Sequence, residues 1–290
     1  MAREIALLTN PTSGKGKGAR YREAALSRLR DAGLIVRNLE GRDADEALDL
    51  ARASVADGVE ALVVCGGDGL AHLASQVLAG TGVPLGIIPA GTGNDVARYF
   101  DLPRQDPVAA ADRVIGSRTR TIDLARTGSR YFITVLAAGF DAIVNERANE
   151  MSWPRGQMRY NLATLVELRT FRALPFTLEL DGAQIQRDAM LVAVGNGTSY
   201  GGGLRIAEGA LLDDGLLDVV IIKTMTKPRL IRTYPKLFSG THTQAPEYER
   251  HRVRSVTLAA PGVTTYADGE RFGALPLTIN CEPAALSVFA

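Results

Sequence analysis

Ala61-Leu62-Val63-Val64-Cys65-Gly66-Gly67-Asp68-Gly69 is the stretch that decides how this chain is read. A short, β-branched apolar run stops at two glycines, an aspartate and a third glycine. The run predicts a buried strand, and the glycines let the backbone turn sharply past its carboxyl end. In open α/β sheets, ligands bind in the crevice at that end of the strands. Glycines there let a phosphate approach backbone N–H groups, and Asp68 leaves one carboxylate at the edge. A tight turn with a solvated aspartate is the plainer reading of the same four residues.

The same grammar recurs on either side. Ile5-Ala6-Leu7-Leu8 predicts a first strand, broken at Asn10-Pro11-Thr12-Ser13-Gly14 with Lys15-Gly16-Lys17-Gly18 behind it. A helix is expected through Ala24, Leu26 and Leu29, then a strand at 34–36, a helix over 44–56 and, past the central strand, a helix over 71–79. Leu85-Gly86-Ile87-Ile88 predicts another strand, ending in Pro89-Ala90-Gly91-Thr92-Gly93-Asn94-Asp95. Strands alternating with helices predict an α/β unit with a parallel, doubly wound sheet. Past Asp123 the texture changes. Stretches at 131–138, 176–180, 189–194, 217–222, 255–260 and 275–279 predict strands without intervening helices, an antiparallel β-sandwich. Only 145–171 reads as helical there, and 285–289 predicts a strand returning to the first unit. The expected division is 1–122 with 284–290, and 123–283.

Composition sets bounds. The 290 residues are 46% hydrophobic and 22% charged, as in soluble globular proteins. A net charge of +1 without like-charge blocks excludes a protein that wraps nucleic acid. Cys65 and Cys281 follow no metal or redox spacing, which points to reduced thiols in the cytoplasm. No apolar run approaches the roughly 20 residues that span a bilayer, and Met1-Ala2-Arg3 leads straight into a strand, so membrane contact is expected to be peripheral. His72, His242 and His251 share no ligand spacing, and His72 reads as a packed residue.

The loop at 10–18 lacks the Gly-Lys-Ser/Thr ending of a Walker motif. Gly14-x-Gly16-x-x-Ala19 fits a loose dinucleotide fingerprint, with Glu40 near the place of a ribose-binding acid. Three glycine loops at the ends of three strands converge on one crevice, and together they read as a nucleotide triphosphate cradle. Thr92 can donate to a phosphate oxygen, and Asn94 can cap the next helix while turning its amide to substrate. Asp95 divides between capping and function. Asp123 either orients other groups or is an inter-domain carboxylate.

Beyond the block Gly195-Asn196-Gly197-Thr198-Ser199-Tyr200-Gly201-Gly202-Gly203 stands Asp213-Asp214-Gly215, an ordinary turn sequence. Asp214 with the carbonyls of Leu211 and Leu216 also makes a half-shell of hard oxygens for Mg²⁺. In Tyr266-Ala267-Asp268-Gly269-Glu270, Asp-Gly signals a type I′ hairpin. Glu270 is equally a candidate general base for a hydroxyl nucleophile in phosphoryl transfer. Spacing leaves both readings open. The stretch 145–172 carries Trp153 with Arg147, Arg155, Arg159, Arg169 and Arg172. It reads as a packed amphipathic helix or as a patch for anionic headgroups.

In order and spacing, these motifs closely resemble the soluble bacterial diacylglycerol kinase and lipid kinase family, related to sphingosine and ceramide kinases. The resemblance runs from Ile5 to Val288 and lies in the ordered set, not in any one motif. It implies an α/β nucleotide domain like those of NAD kinases and phosphofructokinases, a C-terminal β-sandwich and an active site between them. Asn10, Pro11, Thr12, Ser13 and Gly14 match positions that bind ATP, as do Gly66, Gly67, Asp68, Gly69, Leu70, Ala71 and His72, with Gly91, Thr92 and Asn94 on the third loop. Asp68 matches the aspartate of the catalytic Mg²⁺ network. Asp214 with Leu211 and Leu216 matches a structural Mg²⁺ site, and Glu270, with Asp268 beside it, the proton acceptor.

Two departures stand out: Leu70 where the family usually has Thr, and Glu40-Gly41 where a Thr often contacts the nucleotide. Trp153-Pro154-Arg155-Gly156-Gln157-Met158-Arg159-Tyr160 looks most like actinobacterial members. The expected reaction is transfer of phosphate from Mg·ATP to the hydroxyl of diacylglycerol, giving phosphatidic acid, on the inner face of a membrane. A sphingoid or ceramide-like acceptor, NAD, or a binding role without turnover are the competing readings, and a homodimer is left open.

Overall fold

The computed structural model describes residues 3–9, 17–140, 144, 147, 151, 153 and 172–290. The loop Asn10 to Gly14 and most of the 145–171 stretch lie outside the described residues.

The first part alternates as expected. β1 (Glu4–Thr9), α1 (Lys17–Asp31), β2 (Ile35–Glu40), α2 (Ala44–Ala56), β3 (Leu62–Gly66), α3 (Asp68–Leu78) and β4 (Leu85–Pro89) lead into α4 (Asp95–Tyr99) and α5 (Pro107–Gly116). The strands are parallel in the order β2-β1-β3-β4. Successive side chains of a strand face opposite ways. Leu62 and Val64 therefore pack with Ala74 and Leu78 of α3, while Val63 and Cys65 pack with Ala25 and Leu29 of α1 and Ala111 of α5. Both faces are covered, so the strand is apolar at every position. Asp43 caps α2 by accepting from the Glu46 N–H (2.9 Å), and Asp106 caps α5 ahead of Pro107.

α3 starts at Asp68, three residues earlier than the sequence predicts. The N–H groups of Leu70 and Ala71 bond back to the Gly67 carbonyl (3.1 and 3.2 Å), closing the first turn directly behind the strand.

The second part is mainly antiparallel. It comprises β5 (Thr119–Thr127), β6 (Arg130–Phe132), β7 (Val135–Gly139), β8 (Leu174–Leu180), β9 (Ala183–Gly195), β10 (Leu217–Lys223), α6 (Lys227–Ser239), β11 (Tyr248–Val253), β12 (Ser255–Ala259), β13 (Thr264–Ala267), β14 (Glu270–Ala274) and β15 (Leu277–Phe289). The first half of β9 pairs with β8 and the second half with β7 and β10, so this strand bridges the sandwich around Phe132, Phe176, Val192 and Val256. Helix α6 and strand β11 go beyond the sequence reading, while β13 and β14 are the two strands of the hairpin that Asp268-Gly269 signals. β15 pairs with β12 and β5 and runs parallel to β4, Val288 opposite Leu85. Among the described residues no helix is long and apolar enough to cross a membrane.

Candidate active site

The loops after β3 and β4 touch backbone to backbone. A Cβ on Gly91 would lie 2.4 Å from the Gly67 Cα, and one on Gly93 would lie 2.9 Å from an Asp68 carboxylate oxygen. At Gly91, where the neighbour is backbone, a contact that close admits glycine alone; at Gly93 the tip of the Asp68 side chain would have to move. Asn94 adopts a left-handed conformation (φ 54°), which turns its amide back on the loop. Its Oδ1 accepts from the Gly91 N–H (3.0 Å) and its Nδ2 donates to the Gly91 carbonyl (2.9 Å). It makes no side-chain cap for α4, which corrects the expectation of a capping amide aimed at substrate.

The acid at the next position carries more. Asp95 is buried, and its Oδ2 accepts from the Gly202 N–H (2.6 Å). Its Oδ1 is buried without a hydrogen-bond partner, 3.6 Å from the Arg98 Nε. Asp68 accepts from the Val96 N–H (3.0 Å). Burial, with the charges of Asp95 and Asp268 adding to it, pushes the Asp68 carboxyl up to about 6, and burial raises Asp95 as well.

The opposite wall is the β13–β14 hairpin. Asp268 (φ 53°) and Gly269 (φ 89°) both have positive φ, the signature of the expected type I′ turn. Asp268 is buried and accepts from His72 Nδ1, the Ile133 N–H and the Thr134 N–H, each at 2.9 Å, and from the Thr134 hydroxyl at 2.5 Å. Burial opposes its charge, but His72, Thr134 and Ile133 outweigh that and hold it below the usual carboxylate range. Four donors exhaust a carboxylate's acceptor sites, so Asp268 has none to offer a substrate proton. Glu270, the first residue of β14, is exposed, its Oε1 3.6 Å from where a Gly69 Cβ would lie.

Between the walls is a cleft of about 320 Å³ lined by Asp68, Thr92, Asp95, Thr134, Tyr200 and Gly269. Not every predicted contact residue reaches it. His72 packs its ring edge on Phe272 (5.7 Å) while holding Asp268, Ala71 is buried, and Leu70 lies against Gly66.

The glycine block at 195–203 also has a structural reason. A Cβ on Gly197 would strike the Tyr99 ring at 2.5 Å, and the Tyr99 hydroxyl shares hydrogen bonds with the Ser199 backbone. Together with Asp95–Gly202, this clamps α4 to the sandwich. Glu40 pairs with Arg22 (3.0 Å) at the surface.

Asp214 sits apart from the cleft. Its Oδ1 accepts from the Leu216 N–H (3.1 Å), and its Oδ2 is held by Arg252. Behind it, buried Asp123 accepts from the Gly215 N–H (2.7 Å) and the Ala284 N–H (2.8 Å). Leu211 is exposed. Among the described residues no three His, Cys, Asp or Glu side chains cluster as metal ligands.

A parallel α/β sheet whose glycine-rich strand ends face a sandwich hairpin across a carboxylate-lined cleft is a phosphotransferase architecture. Residues 4–127 match the diacylglycerol kinase catalytic domain, and residues 134–290 match the YegS C-terminal NAD kinase beta sandwich-like domain. The sequence is 46% identical to a diacylglycerol kinase of Mycobacterium tuberculosis over 98% of this chain and 94% of the relative. It is 28% identical to a diacylglycerol kinase of Bacillus subtilis over 93% and 90%. Its fold matches a crystal structure of a diacylglycerol kinase from Bacillus anthracis with a TM-score of 0.80 at 23% identity, covering 99% of this chain and 96% of that one. The chain belongs to the diacylglycerol kinase family. It is a lipid kinase, with the actinobacterial likeness that its sequence suggested.

Proposed function

We propose that this kinase transfers the γ-phosphoryl group of ATP to the free hydroxyl of diacylglycerol, giving phosphatidic acid and ADP. The supporting observation is that Asp68 and Asp95 from one wall and the Asp268-Gly269 turn from the other line a single cleft, with Glu270 the next residue of that hairpin and its Oε1 beside Gly69. The glycine loops at 66–69 and 91–94 receive the triphosphate through backbone N–H groups, Thr92 adds a hydroxyl donor, and the 10–14 stretch is assigned to the same task on its sequence alone. Glu270 takes the proton from the lipid hydroxyl as its oxygen bonds to phosphorus and the bond to ADP breaks. Asp268 holds the hairpin that carries Glu270 and is a positioning residue.

A magnesium ion suits this cleft. Asp95 has a buried oxygen without a partner, and two burdened carboxylates face the same space. Asp68 and Asp95 would hold the ion, directly or through water. Bound there, it neutralises triphosphate charge. Asp214 suits a cation less well, because Arg252 already supplies the positive charge, and an ion with the Leu211 and Leu216 carbonyls would enter only by displacing it.

The test is phosphatidate formation by the purified protein from Mg·ATP and diacylglycerol in mixed micelles. Glu270→Gln is expected to lose about 10²–10⁴-fold in kcat while still binding ATP. Equal turnover of wild type and variant removes Glu270 as base. Faster turnover of a sphingoid alcohol or NAD in the same assay reassigns the acceptor.

A further inference from the structure

We infer that α6 is the element by which this protein docks on an anionic lipid surface. The helix carries three stripes. Leu230, Tyr234 and Leu237, spaced four and three apart, turn inward over Met190, Leu191 and Ile222 around a narrow apolar space of about 40 Å³. Pro228, Ile231, Pro235 and Phe238 form a second apolar stripe that points to solvent, with Ile231 55% and Phe238 46% exposed. These are two of only six large apolar side chains so exposed among the described residues. Phe238 is held in place by an edge contact with Tyr234 (5.9 Å).

Arg229, Arg232 and Lys236 form the third stripe, along a polar groove of about 530 Å³ closed by Thr241 and Gln244. Glu247 neutralises Arg229. Arg232 and Lys236 have no carboxylate partner among the described residues.

An unpartnered apolar ridge flanked by unpaired cations matches a surface with anionic headgroups above an acyl interior. A second copy of the chain matches worse, since an antiparallel two-fold contact along the ridge would bring the flanking cations of both copies together. At 13 residues the helix lies in such a surface and does not cross it. Its inner residue Leu237 belongs to the apolar cluster that includes Val135 and Ala137, and those two line the cleft. The docking stripe and the reaction site are thus neighbours through one packed layer. The inference rests on the lipid-kinase reading only for its purpose, since vesicle binding is measured without turnover.

The experiment is flotation of the full chain with vesicles of equal phosphatidylglycerol and phosphatidylcholine, and with phosphatidylcholine alone. Wild type is expected to float with the anionic vesicles and much less with the neutral ones. Ile231→Ser with Phe238→Ser is expected to lose tenfold or more of that partition. Arg232→Gln with Lys236→Gln is expected to lose about fivefold per cation. Both pairs should phosphorylate a short-chain diacylglycerol in detergent micelles at the wild-type rate, and loss of that rate in all proteins alike would count against the acceptor and not against α6. Undiminished flotation of both variants overturns the inference. So does a dimer in solution that Ile231→Ser with Phe238→Ser disperses without any change in flotation.

Discussion

Asp268 and Glu270 stand two residues apart and differ in what they have left to give. Asp268 is saturated by four donors, whereas Glu270 is exposed beside Gly69. Asp268→Asn puts an amide N–H₂ among groups that all donate. It is expected to cost about 3–5 kcal/mol of stability, read as a lowered denaturation midpoint, with kcat falling as the hairpin loosens. Glu270→Gln should lose turnover with stability changed by less than about 0.5 kcal/mol. The two variants therefore separate a base from a positioning residue.

Asp68 gives a pH dependence with a definite sign. Its folded pKa, about 6, lies above its value in an unfolded chain, so the native state binds the extra proton. Stability without metal is highest at low pH within this window and falls as pH rises through about 6. Activity runs the other way, because the ionised form is the one that faces a cation. Asp68→Asn is expected to raise the metal-free melting temperature at pH 7, remove the slope of stability near pH 6 and abolish turnover. An unchanged pH–stability curve would exclude Asp68 as its source.

At the scale of elements, the cradle depends on how closely two loops approach. Gly91→Ala must push β4's loop away from Gly67, with a contact of 2.4 Å to relieve. The expected result is a cost of about 1–3 kcal/mol and at least a tenfold weaker ATP affinity by calorimetry, while substitution at solvent-facing Gly80, in the turn after α3, leaves ATP affinity unchanged.

The loops were legible in the sequence because a glycine run at a strand end is a local signal, and Asp268-Gly269 likewise announces its own turn. Their partners were not local. Gly202 reaches Asp95 across 107 positions and His72 reaches Asp268 across 196, and no spacing rule joins such pairs. Asn94 misled because side-chain chemistry at a cap says nothing about a left-handed backbone. Helix α6 was hidden by Pro228 and Pro235 and by its two apolar stripes, which blur the single-faced period of an ordinary surface helix.

At the scale of the molecule, the α/β layer and the sandwich are held together by buried polar ties as well as by apolar contact. Asp123 on β5 joins the turn at Gly215 to the backbone of Ala284 in β15. Asp123→Ala removes two charge-assisted hydrogen bonds and strands two N–H groups. The expected loss is about 3–5 kcal/mol, measured by chemical denaturation, with the cleft residues themselves untouched.

β15 carries a consequence for how the protein is made. Ribosomal synthesis is vectorial, and this strand emerges after every other described strand. Yet it supplies β4 with its outer neighbour and β5 and β12 with theirs. Until it arrives, the parallel sheet has an unpaired β4 edge, the kind of edge that recruits foreign strands. The two layers cannot mature one after the other as beads on a string. The nascent chain must be kept from aggregating until its last strand closes both at once, so the interval between making β4 and making β15 is when this kinase is most vulnerable.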